Sequence, residues 1–423
     1  MIILYLQDAL QRTAHADAVY VSHTHSDHLN YPTMKALSEI NPEMPIYVGD
    51  VRCGAGSQVL IWDKDFKELP MNNVNITPFG VWQPLGEHCR FMILSDAVFE
   101  LVDTCLLIEY KGHYIFNTVD CCSPNNDKFP DGVDLLLKDF AGGASGFPLM
   151  FEGGRYTEEW TTPFIKNERK KIIERTKAMI KRCNAKYFIP FAGYFVEAHP
   201  SDERVRRLNY KNDPTEFIEQ VEASNPDVKG WTPKPGASFD LASGTEIYTP
   251  PAGTKMIQDE WEWEPYIADI EKSNNFAPLD TLEGIQFYFD WSGFSDYDLV
   301  LHIQETDDAF QAVRREYWID FLPNKVYLYD PKIGARQNAR TNKFRVREAC
   351  WRRTLQYGLA WDGIYIGFQM MISRSPDTYH IKLWMHHMAP HEEPPQWQQF
   401  ISNNSTIIPS GERSQQTGGC ELM

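Results

Sequence analysis

The sequence has 423 residues, of which 43% are hydrophobic and 13% aromatic, enough apolar material for a globular protein of two or three domains. Its formal net charge of −17 at pH 7 argues against broad binding to nucleic acid or to anionic membrane surfaces. The eight cysteines are scattered and form neither a CxxC pair nor a disulfide framework, which favours a reducing compartment. No apolar segment approaches the length of a membrane span, so we expect a cytoplasmic protein.

The first two hundred residues predict an α/β domain. The segment 16–23 (ADAVYVSH) has the β-branched and aromatic centre of a buried strand, and 31–40 (YPTMKALSEI) carries a proline in the first turn of a helix. Further strands are expected at 44–50 and 74–80 and within FMILSD, CLLIEYKG and HYIFNTVD, and VDLLLKDF precedes a glycine-rich stretch. A helix at about 163–183 and a strand in KYFIPFAG follow. This order predicts stacked layers of sheet and helix.

Beyond residue 225 the composition changes. Proline, glycine and serine dominate 226–255, which we interpret as a linker or long loop. GIQFYFDW, DLVLHIQE, EYWIDFL and KVYLYD then predict an antiparallel meander, REACWRRTLQYGLAWDG a helix, and IYIGFQMMISR and YHIKLWMHHM strands or a mix of helix and strand. We therefore predict one domain at 1–225, the linker, a smaller α+β domain at 256–395 and a mobile tail at 396–423.

The sequence HTHSDH at 23–28 places three histidines and an aspartate within six positions. His23 and His25 stand two residues apart at a strand end, so their imidazoles project to one side. The turn that follows can bring Asp27 and His28 back toward the same point. Imidazole and carboxylate ligate Zn²⁺ or Fe²⁺, and a loop at a strand end leaves coordination positions open for water, substrate or dioxygen. The stretch predicts a catalytic metal site; the alternative is a polar loop that happens to be rich in histidine.

This stretch resembles the His-x-His-x-Asp-His motif of the metallo-β-lactamase superfamily, whose fold is an αββα sandwich. The resemblance implies that His23, His25 and His28 bind metal. Asp27 would be a further ligand or a catalytic group that orients one by a hydrogen bond.

The superfamily places further ligands later in the chain. His88 is the only histidine between positions 29 and 112, and Asp120 ends the strand predicted in HYIFNTVD. The alternatives are a surface loop for His88 and a turn cap for Asp120. The superfamily usually ends its site with Pro-x-His, whereas FIPFAGYF puts Ala192 at that position. This departure argues against a two-zinc hydrolase and favours one metal, iron rather than zinc, with His88 or Asp120 completing the site.

Longer stretches resemble the CMP-N-acetylneuraminate hydroxylase family: VYVSHTHSDHLNYPTM, NTVDCCSPN, LLLKDFAGGASGFPLMFEGG and IPFAGYFVEAHPSDERVRRLNY. The resemblance extends over nearly the whole chain. It implies a cytosolic monooxygenase that converts the N-acetyl group of CMP-sialic acid to N-glycolyl with dioxygen. Electrons would come from NADH through a reductase and a cytochrome-type carrier.

Positive charge for the phosphate or carboxylate of such a substrate is available at Arg155 and in the helix KNERKKIIERTK. A helix of alternating Lys, Arg and Glu is, however, usually just a solvated face. The glycine-rich AGGASG at 141–146 could approach a phosphate with its backbone amides, or could equally be a flexible loop.

The family also has an N-terminal Rieske [2Fe–2S] domain, whose ligands are Cys-x-His and Cys-x-x-His pairs. No such pair occurs in this sequence, and only about fifteen residues precede the first predicted strand, too few for the opening strands of the sandwich. We therefore expect an N-terminally truncated sandwich without the electron-entry domain, inactive or impaired when alone. Two alternatives stay open: a metal-dependent hydrolase of a phosphodiester or lactone, and a non-catalytic remnant that binds a sugar nucleotide or a protein.

Overall fold

The computed structural model describes residues 2–3, 6–51, 73–99, 102–195, 197, 199–234, 237–248, 255–256, 277–332, 334–387 and 399. The chain divides into two compact units. The first comprises Met1–Leu29, Lys35–Leu149 and Gly153–Glu262, and the second Asn30–Met34, Met150–Glu152 and Trp263–Met423. Apart from Gln399, the predicted tail at 396–423 lies outside the described residues. None of the helices in the described part of the chain is both long and apolar enough to cross a membrane.

The first part of the chain alternates strands and helices. Its strands are β1 (Ile2–Ile3), β2 (Val19–Val21), β3 (Ile46–Gly49), β4 (Val74–Thr77), β5 (Gln83–Pro84), β6 (Cys89–Ser95), β7 (Thr104–Tyr110), β8 (His113–Asn117), β9 (Leu135–Asp139), β10 (Tyr187–Phe191), β11 (Lys229–Gly230), β12 (Ala237–Asp240), β13 (Thr245–Tyr248) and β14 (Lys255–Met256). Its helices are α1 (Leu6–Ala14), α2 (Tyr31–Ile40), α3 (Glu158–Cys183), α4 (Glu203–Leu208) and α5 (Pro214–Ser224). The predicted strands and the helix at 31–40 are confirmed.

Two sheets dominate the first unit. The smaller is all parallel in the order β2-β3-β4, which requires crossover connections such as α2 between β2 and β3. The larger has the order β11-β10-β9-β8-β7-β6-β5, antiparallel from β5 to β8 and parallel from β8 to β11. The carboxyl ends of β8, β9 and β10 therefore lie along one edge of this sheet.

The two sheets pack face to face. The Tyr47 and Phe91 ring centroids lie 4.7 Å apart, and the Tyr20 hydroxyl is 2.7 Å from Thr104 Oγ1. Because strand side chains alternate, the other face of the larger sheet meets α3 and α5. That second core includes Leu94, Leu107, Phe116, Leu136, Ile172, Ile180, Phe188, Phe217 and Val221. The unit thus has the predicted αββα layers, in the manner of the metallo-β-lactamase fold.

Helix α3 starts earlier than predicted. The sequence prediction placed Pro163 in the first turn, where proline is common, but the helix begins at Glu158 and contains Pro163. Its acidic first turn and basic last turn complement the helix dipole, and Asn184 ends it in the left-handed conformation at φ 49°.

The segment predicted as a linker, 226–255, carries strands. β11 joins the edge of the larger sheet beside β10, and β12 pairs with β13. The Phe239 ring packs on Tyr187 at 4.9 Å and on Trp231 at 4.8 Å.

Asp134 joins strands of the larger sheet through its carboxylate. It accepts hydrogen bonds from Tyr114 N at 2.9 Å and Lys186 Nζ at 2.5 Å, and His113 Nδ1 lies 3.5 Å away. Burial alone would raise the pKa of Asp134, but these partners, Lys186 first, lower it below its usual value. The charged carboxylate is therefore the form that stabilises the fold.

We expect Asp134→Asn to lower the free energy of unfolding by about 1–3 kcal/mol at pH 7. Because the folded pKa is depressed, the wild-type contribution is complete above the unfolded pKa of about 4 and is lost as the pH falls through the folded value. Urea unfolding from pH 3 to pH 7 should show the two proteins converging at the acid end. A difference that is constant across this range would contradict the charge assignment.

The second unit contains one five-stranded sheet with helices. Its strands are β15 (Val300–Thr306), β16 (Val313–Asp320), β17 (Lys325–Leu328), β18 (Thr341–Arg347) and β19 (Met370–Ser375), and its helices are α6 (Leu282–Ser292), α7 (Glu348–Tyr357), α8 (Asp362–Ile366) and α9 (Ile381–His387). The sheet order is β17-β16-β15-β18-β19. The predicted meander is confirmed for β15 to β17, whereas β18 pairs parallel to β15.

The prediction of the first meander strand was wrong, because GIQFYFDW forms part of helix α6. Thr281 Oγ1 accepts a hydrogen bond from Gly284 N at 3.1 Å, and Gly293 ends the helix at φ 78°. The buried positions have helical spacing: Ile285, Tyr288, Phe289 and Ser292. A short apolar and aromatic run fits a strand or a buried helix equally well by pattern alone, and here the capping residues decide it. YHIKLWMHHM likewise contains a helix, α9, and the stretch 348–366 contains two, α7 and α8.

Candidate metal centre

The histidine cluster lies in the loop that leaves β2 and leads to α2, as the sequence predicted. β2 ends at Val21 in the core, and the next residues, Ser22 to Thr24, remain buried. Asp120 follows the end of β8 by three residues, on the facing sheet of the same unit. The sandwich therefore brings together two strand ends that are about a hundred residues apart in the chain.

Three side chains offer ligand atoms within 4.8 Å of one another: His23, His28 and Asp120. Asp120 Oδ2 lies 3.2 Å from His28 Nε2 and 3.9 Å from His23 Nε2. The imidazole centroids of the two histidines are 4.0 Å apart. Two imidazole nitrogens and a carboxylate oxygen that converge in this way are the donor set that zinc and non-haem iron take.

Ser22 orients both imidazoles. Its Oγ lies 3.0 Å from His23 Nδ1 and 3.1 Å from His28 Nδ1. In the tautomer with both Nδ1 atoms protonated, each ring donates to a lone pair of the same hydroxyl, and both Nε2 lone pairs are left to face Asp120. Thr104 Oγ1 donates to the Ser22 carbonyl at 2.7 Å and anchors this loop on the larger sheet.

Asp103 is a residue of this site that sequence reasoning missed. Its Oδ1 lies 3.8 Å from His23 Nε2, and this atom is buried without a hydrogen-bond partner among the described residues. A buried carboxylate oxygen beside a ligand set is the orphaned group that a cation would satisfy. The nearby Asp96 differs, because its oxygens accept hydrogen bonds from Ser123 N, Val98 N and Phe99 N and shape a turn.

The electrostatics of the cluster also favour a cation. Burial and the neighbouring His28 and His25 lower the pKa of His23 well below its usual value, so this imidazole is neutral at pH 7. Burial and Asp120 raise the pKa of Asp103 to about 7. Burial would raise the pKa of Asp120, but His28 and the other imidazoles lower it below its usual value. Burial would lower the pKa of His28, but Asp120 raises it above its usual value.

The other motif residues lie at the margin of this group. His25 Nδ1 is 2.8 Å from His23 Nε2, so this imidazole contacts the cluster. The Asp27 carboxylate is 55% exposed and lies 3.7 Å from His28 Nε2. These contacts place Asp27 beside a ligand candidate and leave its catalytic role a prediction.

Two predicted site residues are not brought to the cluster. His88 is 58% exposed in the turn before β6, at the opposite end of that strand from Asp96, and its nearest charged group is Glu87 at 3.7 Å. Strand β6 spans about 20 Å, so His88 cannot reach the cluster in this fold. Arg155 is exposed and lies over the Tyr156 and Trp160 rings at 5.2 and 5.1 Å. Ala192 follows β10 with φ 63° and offers no ligand atom.

Curated relatives match almost the entire chain. Cytidine monophosphate-N-acetylneuraminic acid hydroxylase of Danio rerio is 42% identical over 428 aligned residues, covering 98% of this chain and 70% of the relative. The Xenopus laevis protein of that name is 42% identical, and the alignment covers 95% of this chain and 68% of the relative. The Macaca mulatta protein is 41% identical, and the alignment covers 93% of this chain and 67% of the relative. The chain belongs to the cytidine monophosphate-N-acetylneuraminic acid hydroxylase family. It spans about two thirds of its relatives' length.

The solved structures that match this chain are only loosely similar to it. A metallo-beta-lactamase fold protein from Bacillus subtilis matches at a TM-score of 0.31 and 13% identity, covering 52% of this chain and 74% of that one. Isothiocyanate hydrolase from Delia radicum gut bacteria matches at a TM-score of 0.32 and 12% identity, covering 57% of this chain and 79% of that one. Likenesses at this level carry no argument about activity. No protein-family model matches the chain.

Proposed function

We propose that this chain carries the metal-dependent part of a CMP-N-acetylneuraminate hydroxylase, which converts the N-acetyl group of CMP-sialic acid to N-glycolyl. The observation that carries the proposal is the convergence of His23, His28 and Asp120 in a chain that matches hydroxylases of this name over 98% of its length. The reaction consumes dioxygen and two electrons, so it needs a redox metal and an electron donor.

The proposed cofactor is a single iron ion, held by His23, His28 and Asp120 with His25 and Asp103 lining the site. Two histidines and one carboxylate are the ligand set of non-haem iron oxygenases, with positions left open. When bound there, iron would supply the activation of dioxygen. A second metal lacks a ligand at Ala192, which supports a mononuclear centre.

The protein's own residues would prepare this site. Ser22 holds the two imidazoles with both Nε2 atoms toward the carboxylate. The low pKa of Asp120 keeps this ligand ionised throughout the neutral range. Asp103, whose Oδ1 lies 3.8 Å from His23 Nε2, adds a second carboxylate beside the ligand set. Asp27, at the exposed margin, is the candidate to orient His28 or an incoming group.

Electron delivery is the step that this sequence does not provide. It contains no Cys-x-His and Cys-x-x-His pair for a Rieske cluster. We propose that turnover needs electrons from a [2Fe–2S] centre outside this sequence, reduced by a cytochrome-type carrier and its NADH-dependent reductase. We propose that this chemistry takes place in the cytoplasm, as the family resemblance implies. The metal chemistry would belong to the domain predicted at 1–225, with the α+β domain at 256–395 as a separate unit.

The test measures metal content by mass spectrometry in the wild type and in His23→Ala/His25→Ala. We expect about one iron per chain in the wild type and nearly complete loss in the variant. The matched control is His15→Ala/His88→Ala, which removes two exposed histidines and should keep the metal.

The same proteins are then assayed with CMP-N-acetylneuraminate, dioxygen and a soluble reductant, and the product is followed as a mass increase of one oxygen atom. Formation of the N-glycolyl product by the wild type and not by the motif variant would support the hydroxylase. Two zinc ions per chain would overturn it and favour a hydrolase. Stoichiometric iron without product, even when a reduced [2Fe–2S] protein is supplied beside the soluble reductant, would identify a non-catalytic remnant.

A further inference from the structure

A second polar site lies at the carboxyl ends of β9 and β10. The glycine-rich loop 141–146 leaves β9, residues 192–195 leave β10, and the segment 209–212 after α4 packs between them. Asn212 N donates to the Ala141 carbonyl at 3.0 Å, and Asn209 Nδ2 donates to the Gly143 carbonyl at 3.1 Å. The edge formed by the carboxyl ends of parallel strands is where α/β sheets generally bind ligands.

Glycine is required in this loop because the backbone comes very close to its neighbours. Gly142 has φ 72°, a conformation that side chains disfavour. A Cβ on Gly143 would lie 2.6 Å from the Gly193 carbonyl oxygen, and one on Gly146 would lie 2.1 Å from the Asn209 side chain. The loop is therefore tightly packed around Asn209 and is not the flexible loop that the sequence left open.

Arg169, on helix α3, ends in this network with part of its guanidinium unsatisfied. The residue is only 2% exposed. Its Nη2 donates to Asn209 Oδ1 at 3.4 Å, and its guanidinium carbon stands 3.7 Å from the Tyr210 ring centroid. Nε and Nη1 are buried, and neither has a hydrogen-bond partner in the described part of the chain. A buried cation with two unused donors is costly unless a ligand completes it.

The acidic group of the network does not neutralise Arg169. Glu197 accepts hydrogen bonds from Lys211 Nζ at 2.5 Å and Asn209 Nδ2 at 2.8 Å, both at Oε1. Lys211 and Glu197 therefore form a buried pair, with side chains 6% and 2% exposed. Arg169 is left as the excess positive charge. Burial lowers its pKa, and Tyr210 and Glu197 raise it by less than burial lowers it.

We propose that Arg169 and the glycine-rich loop form an oxyanion-binding site that takes a phosphate or carboxylate group through Nε and Nη1. Guanidinium N–H groups are the donors that phosphate and carboxylate oxygens commonly take, and these are the two nitrogens that the fold leaves without a partner among the described residues. Tyr210 supports the guanidinium face by stacking. The sequence predicted Arg155 as the residue that binds the anion. Because Arg155 is exposed and stacks on Tyr156, Arg169 is the better candidate.

The identity of the anion rests on the proposed function. CMP-sialic acid carries one phosphate and one carboxylate, so either end of that substrate could reach the site. Binding is measured by isothermal titration calorimetry with three probes: CMP, free N-acetylneuraminate and inorganic phosphate. A response to CMP and phosphate identifies the phosphate end, and a response to N-acetylneuraminate identifies the carboxylate end.

The decisive variant is Arg169→Lys, which keeps the charge and loses the planar guanidinium donors. We expect this substitution to lower the affinity for the probe that binds the wild type by about tenfold or more. Because Arg169 is buried, a second variant, Tyr210→Leu, removes the half-exposed stacking ring and should weaken binding several-fold without touching the core. The control is Arg90→Lys, an exposed arginine paired with Glu109 at 2.6 Å, which should leave affinity unchanged.

These outcomes separate the anion site from the hydroxylase. Probe binding that is retained in His23→Ala/His25→Ala and lost in Arg169→Lys supports the site even if no hydroxylation is ever observed. Absence of binding by all three probes to the wild type would overturn it. Equal affinity in the wild type, folded Arg169→Lys and Tyr210→Leu would overturn it as well, whatever the activity.

Discussion

Asp120→Asn is expected to weaken metal binding by about a hundredfold or more, because it removes the one carboxylate that contacts both Nε2 atoms of the histidine pair. The amide keeps the size of the side chain and loses the charge that offsets a divalent cation. The measurement is a competition titration with a chromogenic chelator, under anaerobic conditions for Fe²⁺ and in air for Zn²⁺. The wild type should hold metal at chelator concentrations that strip the variant completely.

The matched control is Asp127→Asn. Asp127 lies in the same segment, is 53% exposed and pairs with Arg182 at 3.8 Å, away from the cluster. Its loss should leave metal affinity unchanged. Ser22→Ala should fall between the two, about tenfold to a hundredfold weaker, since it frees the imidazoles without removing a ligand. Equal metal retention by Asp120→Asn and Asp127→Asn would exclude Asp120 from the ligand set.

The local part of the candidate metal centre was predictable. His23, His25 and His28 lie in one short loop, and a strand followed by a helix is enough to make their side chains converge. Asp120 could be found as a strand-end aspartate. Asp103 could not, since its proximity to His23 depends on how the two sheets pack, which no local pattern contains. The one available signal was an aspartate immediately before an apolar strand, where an exposed turn residue is the more common result.

His88 lies away from the cluster for the complementary reason. Chain order put a histidine in the expected interval, but the antiparallel strand β6 separates the turn that contains His88 from the end that faces the cluster. Sequence distance predicts spatial proximity poorly once a strand intervenes. For Arg169, the charged face of α3 predicted a solvated residue, and only the packing of 209–212 over that position buries it.

The fold was predictable where periodicity and length agreed, as in the strands β6 to β8 and helix α2. It was least predictable in the second unit, where aromatic residues serve helices and strands alike. Trp351, Trp361, Tyr288 and Phe294 are all fully buried there, and the Phe294 and Trp361 rings stack at 4.4 Å. Such a core tolerates either periodicity, so capping residues such as Thr281 and Gly293 carried the information about α6.

Glu305→Ala is expected to have the largest effect on the stability of the second unit. Glu305 is fully buried on β15, and its Oε1 accepts from Arg315 Nη2 at 3.1 Å and Tyr317 hydroxyl at 3.0 Å. Its Oε2 accepts from Arg352 Nε at 2.9 Å. The substitution leaves two largely buried arginines without this shared acceptor. We expect a loss of about 3–5 kcal/mol, the range seen when one partner of a buried ion pair is removed.

The measurement is hydrogen–deuterium exchange of the β15 and β16 amides, which reports on this unit in the full chain, together with urea unfolding. Asp298→Asn is the control: it removes a 58% exposed carboxylate that pairs with Arg336 at 2.6 Å, and should cost about 1 kcal/mol or less. Faster exchange confined to Glu305→Ala would show that the network stabilises the sheet. If both variants changed exchange equally, the buried carboxylate would contribute no more than a surface pair. The arginines would then have found other acceptors or solvent once Glu305 was gone.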